Sequence, residues 1–210
     1  MKKFELTTEF ITNALGKKLF RIKALVEFGS VKAGELGGYA EKEENISQDG
    51  NAWVSGDARV YGNAWVSGDA RVSGDARVYG DAWVSDNAKV FGNAEVYGDA
   101  KVSGNAKVYG NAWVSGDAWV SGDAWVSGDA WVSGDADYAL VKGFGTEFRC
   151  TTFYRDKNKK IMVNCGCFHG DLEAFRKQVK ETRSGKIAKE YLMIADLMEY
   201  HFTSEDSSDE

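Results

Sequence analysis

A six-residue unit repeats from Gly50 to Ser133 with almost no drift. Fourteen consecutive hexads fill this stretch and follow the pattern Gly-[Asp/Asn]-Ala-x-Val-[Ser/Tyr/Phe]. A decayed fifteenth hexad follows at residues 134–139, and only the hexad that begins at Asp86 lacks its leading glycine. A short, fixed period of this kind is the sequence mark of a solenoid, in which each repeat packs only against its neighbours. The repeat therefore constrains the fold more than any other feature of the chain.

Each hexad combines a turn with a short extended segment. Glycine reaches positive φ without steric cost, and Asp or Asn tolerates the left-handed conformation, so Gly-[Asp/Asn] indicates a turn. Side chains alternate along the extended residues that follow, which places Ala and Val on one side and the x and Ser/Tyr/Phe positions on the other. Ala and Val are the constant residues, so we expect them to face inward. A core this narrow fits a slim tube with three hexads in each coil.

Counted from its valine, each unit is Val-x-Gly-[Asp/Asn]-Ala-x, and this pattern resembles that of the hexapeptide-repeat left-handed β-helix family. The resemblance implies a mainly β fold, a left-handed parallel β-helix of about five coils. Residues 19–50, 163–168 and 188–192 are also similar to segments of bacterial and prophage hexapeptide-repeat proteins of the transferase or polymer-forming type. This second resemblance implies that the protein is of phage or prophage origin. It does not imply a particular catalytic or binding activity.

A coil of three hexads sorts the outward x positions into three faces. The first face carries Trp53, Arg71, Lys89, Lys107 and Trp125. The second carries Arg59, Arg77, Glu95, Trp113 and Trp131. The third carries Trp65, Trp83, Lys101, Trp119 and Asp137. All seven tryptophans of the chain fall in these outward positions.

Outward tryptophan requires an explanation, because large exposed apolar patches usually mark interaction sites. Three interpretations stay open: the rings stack in ladders or lie under the terminal segments, they are buried between subunits, or they contact a foreign partner. We predict partner contacts at nine aromatic residues: Trp113, Trp119, Trp125, Trp131, Trp65, Trp83, Tyr61, Tyr79 and Tyr97. The three tyrosines recur in every third hexad, so we expect them to form a ladder on the second face.

The repeats lie between two less regular segments. Residues 4–12 and 18–28 alternate as strands and predict a hairpin. Residues 43–50 predict a degenerate first hexad that caps the tube, with Asn45 in the turn position and Ile46 in the Ala position. After the repeats, strands at 151–154 and 161–168 are followed by two helices, about 171–184 and 186–202. We therefore divide the chain into an N-terminal hairpin and cap (1–43), the β-helix (44–139), a small C-terminal ββαα domain (140–202) and an acidic, disordered tail (203–210).

Composition narrows the setting and the partners. The net charge is −6, and no basic stripe follows the repeats, so direct nucleic-acid binding is disfavoured. Residues 137–202 carry twelve basic and nine acidic residues, which makes the C-terminal unit mildly basic. No stretch has the length and apolar character of a transmembrane span, and Met1-Lys2-Lys3 is not followed by the apolar core of a signal peptide. With only three cysteines, the chain fits a reducing cytoplasm.

The sequence offers few groups for catalysis. Acyltransferases of the hexapeptide family use a histidine between subunits as a general base, whereas here His169 and His201 both lie outside the repeats. We therefore predict no catalytic residues and no cofactor. Cys165, Cys167 and His169 alternate along one predicted strand, so we expect their side chains to share a face. With Cys150 on a neighbouring strand, these three thiols and one imidazole would make a tetrahedral zinc set. The standard alternative is that the thiols pack as small apolar residues, and a Cys167–His169 nucleophile pair is a third.

These features favour a non-catalytic binding or scaffold protein of phage or prophage type. We expect it to present its Trp and Tyr rows and its basic C-terminal unit to a host protein or complex, which includes the hypothesis that it inhibits a host defence system. We also expect a homo-oligomer, a dimer or trimer, with no membrane contact. The alternatives are an acyltransferase-like trimer, a small-ligand (nucleotide) sponge and a filament; the filament is disfavoured because both tube ends carry covering segments.

Overall fold

The computed structural model describes residues 2–203. The fold is mainly β, a parallel β-solenoid of about five turns with an antiparallel sheet at its N-terminal end and two helices near the C-terminus, which confirms the predicted fold class. Most of the predicted acidic tail lies outside the described residues; Thr203, its first residue, ends the last helix. Neither helix combines the length and the apolar character that a bilayer crossing needs in the part of the chain the structure describes.

Three strands precede the regular coils: β1 (Phe4–Thr12), β2 (Lys18–Ala24) and β3 (Leu36–Ala40). β1 and β2 form the predicted antiparallel hairpin, although β2 ends four residues earlier than the sequence suggested. β3 pairs antiparallel with β2 and parallel with the first strand of the second face, so it joins the hairpin to the solenoid. Gly37 makes this approach feasible, because a Cβ there would lie 2.5 Å from Ile22 and 2.6 Å from the Val54 carbonyl oxygen.

Each of the fourteen hexads contributes one two-residue strand, made of its x and Val positions. In chain order, β4 to β17 are Trp53–Val54, Arg59–Val60, Trp65–Val66, Arg71–Val72, Arg77–Val78, Trp83–Val84, Lys89–Val90, Glu95–Val96, Lys101–Val102, Lys107–Val108, Trp113–Val114, Trp119–Val120, Trp125–Val126 and Trp131–Val132.

Strands three hexads apart pair in parallel and form three sheets. Their orders are β4-β7-β10-β13-β16, β3-β5-β8-β11-β14-β17 (continuing to β2 and β1) and β6-β9-β12-β15. Three backbone N–H groups of a hexad donate to carbonyl oxygens of the next coil. In the first hexad, the N–H groups of Asn51, Trp53 and Ser55 donate to the carbonyls of Gly68, Ala70 and Val72, respectively. The Ala and Val side chains are buried and form one continuous core along the tube, so the predicted coil length and inward positions are correct.

The first coil departs from the predicted phase. Ile46 pairs in parallel with Val66, and the N–H of Ser47 donates to the Val66 carbonyl, so Ile46 occupies a Val position and not the predicted Ala position. Ile46 and Val66 lie further apart in sequence than a regular strand pair, because Gln48 and Asp49 are extra to the hexad pattern. The Gln48 side chain accepts from the backbone N–H of Lys3 and donates to the carbonyl of Phe4. The insertion thus serves to hold the start of β1.

The last coil also ends differently from the prediction. Residues Asp135–Asp137 form a short 3₁₀ helix in place of a fifteenth two-residue strand, so Asp137 does not continue the third face. Its carboxylate instead accepts from the backbone N–H and the hydroxyl of Ser133.

The C-terminal unit contains four strands and two helices, two strands more than the predicted ββαα arrangement. The strands are β18 (Tyr138–Phe144), β19 (Arg149–Arg155), β20 (Ile161–Cys165) and β21 (Phe168–Asp171), and they form one antiparallel sheet in that order. The helices are α1 (Leu172–Thr182), whose N-cap Asp171 accepts from Ala174 N–H, and α2 (Gly185–Thr203). Tyr191, Ile194 and Met198 of α2 are buried, whereas Leu197 is exposed.

β19 closes the C-terminal end of the tube. The Tyr154 side chain is fully buried against the Ala/Val core, and its hydroxyl contacts Ser127 Oγ at 3.2 Å. Asn164 Nδ2 donates to the Trp125 carbonyl at 2.7 Å and also lies within hydrogen-bonding distance of the Tyr154 hydroxyl. These contacts satisfy polar groups of the last coil that would otherwise pair with a further coil.

Candidate interaction surface

A row of tyrosines follows the second face of the tube. Tyr61, Tyr79 and Tyr97 occupy the same position in successive coils, and their ring centroids lie 4.9 and 5.0 Å apart with planes within 4° of parallel. The distance equals the usual spacing of paired strands, so the ladder follows directly from the three-hexad coil. Because the ring faces are used against one another, mainly ring edges and hydroxyls are left for a partner.

The middle tyrosine of the ladder, Tyr79, is hydrogen-bonded to a glutamate that also forms a salt bridge. The Tyr79 hydroxyl donates to Glu95 Oε2 at 3.0 Å, and Arg77 Nη1 donates to Glu95 Oε1 at 2.9 Å. Burial, together with the hydrogen bond to Glu95, raises the pKa of Tyr79 well above its usual value. The phenol therefore stays neutral at physiological pH, and this part of the face is held in one geometry.

The row continues into two exposed tryptophans. Trp113 packs edge-to-face on Tyr97 with centroids 6.5 Å apart, and Trp131 packs edge-to-face on Trp113 at 6.1 Å. Each of these two indoles is 44% exposed. The change from parallel to edge-to-face packing leaves ring face uncovered, so this end of the row offers apolar area that the tyrosine ladder does not.

The third face carries Trp65, Trp83 and Trp119. Trp65 and Trp83 lie 6.4 Å apart and tilted by 35°, and both are exposed. Trp119 is 53% exposed, and its Nε1 donates to Ser103 Oγ at 2.9 Å. The polar end of that indole is therefore already satisfied, and its apolar ring is what faces solvent.

The first face carries tryptophan only at its two ends, and the two ends differ. Trp125 is 36% exposed and has Lys107 Nζ at 4.1 Å from its ring centroid, a cation–π contact. Trp53 is 2% exposed, because Phe4 and Phe28 pack edge-on against it at 6.4 and 5.4 Å. It sits in an outward position but under the N-terminal segment, which removes it from any interaction surface.

A concave groove lies where the second face meets the C-terminal unit. The turn between β19 and β20 stands beside the last coil, held by a β-bridge between Ala130 and Asp156 and by the Lys157 N–H, which donates to the Asp129 carbonyl at 3.1 Å. Two adjoining cavities of about 360 and about 430 Å³ share Trp131 and Lys157 in their walls. Trp113 lines the first cavity, and Arg155 and Lys159 line the second.

The groove combines apolar rings with balanced charge. Lys157 Nζ lies 2.8 Å from Asp129 Oδ2, and the hydrogen bond from Lys157 lowers the pKa of that carboxyl. Arg155 Nη1 lies 3.6 Å from Asp137 Oδ1, and both side chains are largely buried. The hexad pattern predicted the two tryptophans, but nothing periodic marks Lys157 or Lys159 as their neighbours. A charged turn between two predicted strands was the available signal.

The residues of the predicted zinc set are not brought together as expected. β20 ends at Cys165, Cys167 lies in the turn that follows with Gly166 at φ 60°, and His169 lies on β21. The prediction that these three residues alternate on one strand was wrong, because a hairpin turn divides the segment. Within residues 2–203 no three His, Cys, Asp or Glu side chains form a group able to hold a metal ion.

The cysteine and histidine side chains have other contacts. Thr151 Oγ1 donates to Cys165 Sγ at 3.1 Å, and burial raises the pKa of the Cys150 thiol. His169 Nδ1 lies 2.7 Å from Asn164 Oδ1, so the imidazole supports the side chain that binds the last coil. This arrangement gives His169 a structural contact, and both histidines belong to the C-terminal unit and not to the repeats.

The repeats match one known family model. Residues 50–68, 70–86, 100–116 and 106–122 match the model described as the YdcK β-solenoid repeat. The chain is a β-solenoid repeat protein. No curated protein matches it. The family match covers residues of the hexads only, so it carries no information about the C-terminal unit or the groove beside it.

Proposed function

We propose that this protein is a non-catalytic binding and scaffold protein whose solenoid holds exposed tryptophans against a partner protein. One observation carries the proposal: Trp113, Trp119, Trp125 and Trp131 occupy the last four hexads, and each is at least 36% exposed. Apolar area of this kind on a folded surface usually marks an interaction site, and tryptophan is enriched among residues that dominate binding energy.

The rigid tube supports this role through preorganisation. The tryptophans sit on two-residue strands fixed on both sides by backbone hydrogen bonds or end contacts, so a partner orders little that is not already ordered. Trp131 and Trp113 also border the groove, which supplies the concave shape that the side faces lack. We place the centre of the interface at this groove, with Trp119 and Trp125 around the tube from it.

Charge indicates what the partner offers. Lys101 and Lys107 lie over Trp119 and Trp125, and Lys157 and Lys159 border the groove. Residues 137–202, which include the C-terminal unit that adjoins the tryptophans, carry twelve basic and nine acidic residues. A protein surface with an apolar centre and an acidic rim would complement this arrangement. In line with the similarity to prophage segments, we propose a host protein or complex as this partner, including one that serves in defence.

The test is recovery of the partner from a bacterial host lysate with the tagged, full-length protein, followed by native mass spectrometry. Trp113→Ala/Trp131→Ala should lose a stoichiometric protein that the wild type retains. Leu15→Ala, which truncates an exposed apolar residue at the far hairpin turn, should retain it. Circular dichroism of each variant verifies folding. Recovery of the same protein by wild type and double variant alike would overturn the proposed surface.

A small-ligand sponge is the second candidate, and the two cavities beside Trp131 are the observation that favours it. Pockets for small ligands are mostly apolar with a few fixed polar groups, as here. In the same experiment, recovery of a bound small molecule without a partner protein would favour the small-ligand sponge over the protein-binding role. An acyltransferase has no comparable support, since neither histidine lies on the tube.

A further inference from the structure

A third cavity lies within the C-terminal unit, separate from the two that border the groove. It has a volume of about 160 Å³, and its walls come from α1, from α2 and from the β18–β19 and β20–β21 turns. Phe175 lies on its apolar side, with its ring centroid 5.5 Å from that of Phe168 and 5.9 Å from that of Tyr191. Phe175 and Tyr191 are buried in the core of this unit. The apolar side of the cavity is therefore a fixed surface.

Two arginines line the same cavity and have no partner among the described residues. Arg149 lies at the start of β19, and Arg183 directly follows α1. Within residues 2–203 neither guanidinium forms an ion pair or a side-chain hydrogen bond. Arg176 on α1 differs, because its guanidinium contacts three carboxylates. The cavity therefore has hydrogen-bond donors and positive charge available for an anion.

Both guanidiniums act on one hydroxyl group in the cavity wall. Burial raises the pKa of Tyr191 and outweighs the charges of Arg183 and Arg149, which act in the opposite direction. The Tyr191 hydroxyl donates to the Phe144 carbonyl at 3.3 Å, which ties α2 to the end of β18. A Cβ at Gly166 would lie 2.5 Å from Arg149 Nη1, so glycine in the β20–β21 turn leaves room for this guanidinium. The charged side and the apolar side are thus positioned before a ligand binds.

We propose that this cavity binds a small organic anion that has an apolar body and a single carboxylate. The carboxylate lies at Arg149 and Arg183, because a guanidinium presents a planar fork of N–H donors that matches a carboxylate. The apolar body lies against the rings of Phe168 and Phe175. Pockets for small ligands have this composition, apolar walls with a few polar groups that fix orientation.

One acidic residue of the wall decides how many charges the ligand carries. Glu147 lines the cavity together with the two arginines, so the ionic side chains of the wall sum to one positive charge. A monocarboxylate cancels this charge. A phosphate monoester carries nearly two negative charges at neutral pH and leaves an excess of negative charge beside Glu147. The wall therefore favours a carboxylate over a phosphate.

The volume of the cavity limits the size of the ligand. At about 160 Å³ it is smaller than the usual ligand pocket of about 300–1,000 Å³, so a whole nucleotide does not fit. Phenylacetate, with about ten non-hydrogen atoms, is a probe of suitable size, and we expect a dissociation constant on the order of 0.3 mM. This site uses side chains of the C-terminal unit, so its occupancy is independent of the proposed protein-binding surface.

Titration of the ¹⁵N-labelled, full-length protein with phenylacetate, followed by NMR, tests the site. Saturable shifts should appear at the side-chain amide of Gln178 and at the Nε–H groups of Arg149 and Arg183, which line the cavity. The neutral analogue 2-phenylethanol should bind at least about fivefold more weakly, because it forms no charge-assisted hydrogen bond. Phenyl phosphate at about pH 7.5 should also bind more weakly than phenylacetate, and Glu147→Gln should reduce that difference.

Two arginine variants test the carboxylate contact independently. Arg183→Gln and Arg149→Gln should each raise the dissociation constant of phenylacetate at least about fivefold. Lys180→Gln is the matched control, since it removes one positive charge from α1 outside the cavity wall, and it should change the constant less than about twofold. All three side chains are exposed, so folding should survive, as circular dichroism will verify.

Four results would overturn the proposal. They are the absence of saturable shifts up to about 10 mM phenylacetate, equal affinity for 2-phenylethanol, tighter binding of phenyl phosphate, and an unchanged dissociation constant in both arginine variants. Shifts confined to the indole N–H signals of Trp113 and Trp131 would likewise overturn it, because they would place the anion in the groove.

Discussion

Asp135 Oδ1 accepts a hydrogen bond from the backbone N–H of Trp119 at 2.7 Å, where an inner coil would supply a carbonyl. One coil earlier, the equivalent N–H of Lys101 donates to the Ala118 carbonyl at 2.8 Å. No further coil follows the last one, so its backbone N–H groups donate to side chains. The Trp125 N–H donates to Thr152 Oγ1 at 2.9 Å, and the Ser133 N–H donates to Asp137 Oδ2 at 2.8 Å. Side chains thus end the ladder without exposing an open strand edge.

Removal of one such acceptor should destabilise the fold. Asp135→Ala leaves the Trp119 N–H without this carboxylate, so we expect it to lower the free energy of unfolding by about 1–3 kcal/mol. Chemical denaturation followed by circular dichroism measures the change. Asp75→Ala is the matched control, an exposed corner carboxylate for which no side-chain hydrogen bond occurs among residues 2–203, and should change stability by less than about 0.5 kcal/mol. Equal effects of the two substitutions would contradict the capping role.

The sequence predicts the inner coils well and the ends poorly, for a physical reason. Between Trp53 and Val132 every hexad meets an equivalent hexad, so one periodicity determines coil length, inward residues and the order of each face. At the ends, residues bond to unique partners. The Ile46–Val66 pairing depends on the contacts of Gln48 with the first strand, and no period encodes those contacts.

The same limit applies to the candidate surface. The exposed tryptophans follow from the hexad pattern, whereas burial of Trp53 depends on Phe4 and Phe28, which arrive from the N-terminal segment. The groove requires the β19–β20 turn to stand beside Trp131, a tertiary arrangement without a local signal. The predicted strand 161–168 failed because Gly166 and Cys167 form a turn inside an otherwise apolar run.

Lys3 closes the opposite end of the tube and should make stability depend on pH. Its Nζ donates to the carbonyls of Ala52 and Gly50 at 3.1 and 3.3 Å, and burial, with the nearby Arg71, lowers its pKa to about 8. In the unfolded chain the pKa is near the model-peptide value of 10.5. Between these two values the native state binds fewer protons than the unfolded state, so this group makes stability rise with pH.

Comparison with Lys3→Met isolates that contribution. Burial raises the pKa of Cys150 and of several tyrosines, and those groups act in the opposite direction, but they are common to both proteins. The free energy of unfolding of the wild type minus that of Lys3→Met should therefore rise between pH 8 and pH 10. Urea denaturation at a series of pH values gives this difference, and a difference that stays flat or falls would show that the lysine is not desolvated.

Asp86 occupies the one hexad position where glycine is missing, and its backbone adopts φ 57°. Its Oδ2 accepts a hydrogen bond from the Gly104 N–H at 2.9 Å, and this bond offsets the energetic cost of the left-handed backbone conformation. Asp86→Ala keeps the strain and loses the hydrogen bond, so we expect a loss of about 1–2 kcal/mol in unfolding free energy. Asp86→Asn tolerates the same φ and keeps an acceptor oxygen, so its stability should lie within about 0.5 kcal/mol of the wild type. Thermal and urea denaturation of the two variants would separate these effects.

Thiol reactivity tests how the cysteines are arranged. Cys167 is exposed in the β20–β21 turn, whereas Cys150 and Cys165 are partly buried. Because burial raises the pKa of Cys150, its thiolate fraction at pH 8 is lower than that of an exposed thiol. A chromogenic disulfide reagent at this pH should therefore react rapidly with one thiol and slowly with two, and Cys167→Ser should abolish the rapid phase while Cys150→Ser leaves it intact.

Repeating the thiol assay with added Zn²⁺ tests the predicted zinc set, because a metal-bound thiolate is protected from the reagent. The turn at Gly166 and Cys167 separates Cys165 from His169 along the chain, and His169 Nδ1 already lies 2.7 Å from Asn164 Oδ1. We therefore expect added Zn²⁺ to leave the rapid phase unchanged. Protection of Cys167 by stoichiometric zinc, lost in His169→Ala, would show that the hairpin can rearrange into the tetrahedral set that the sequence suggested.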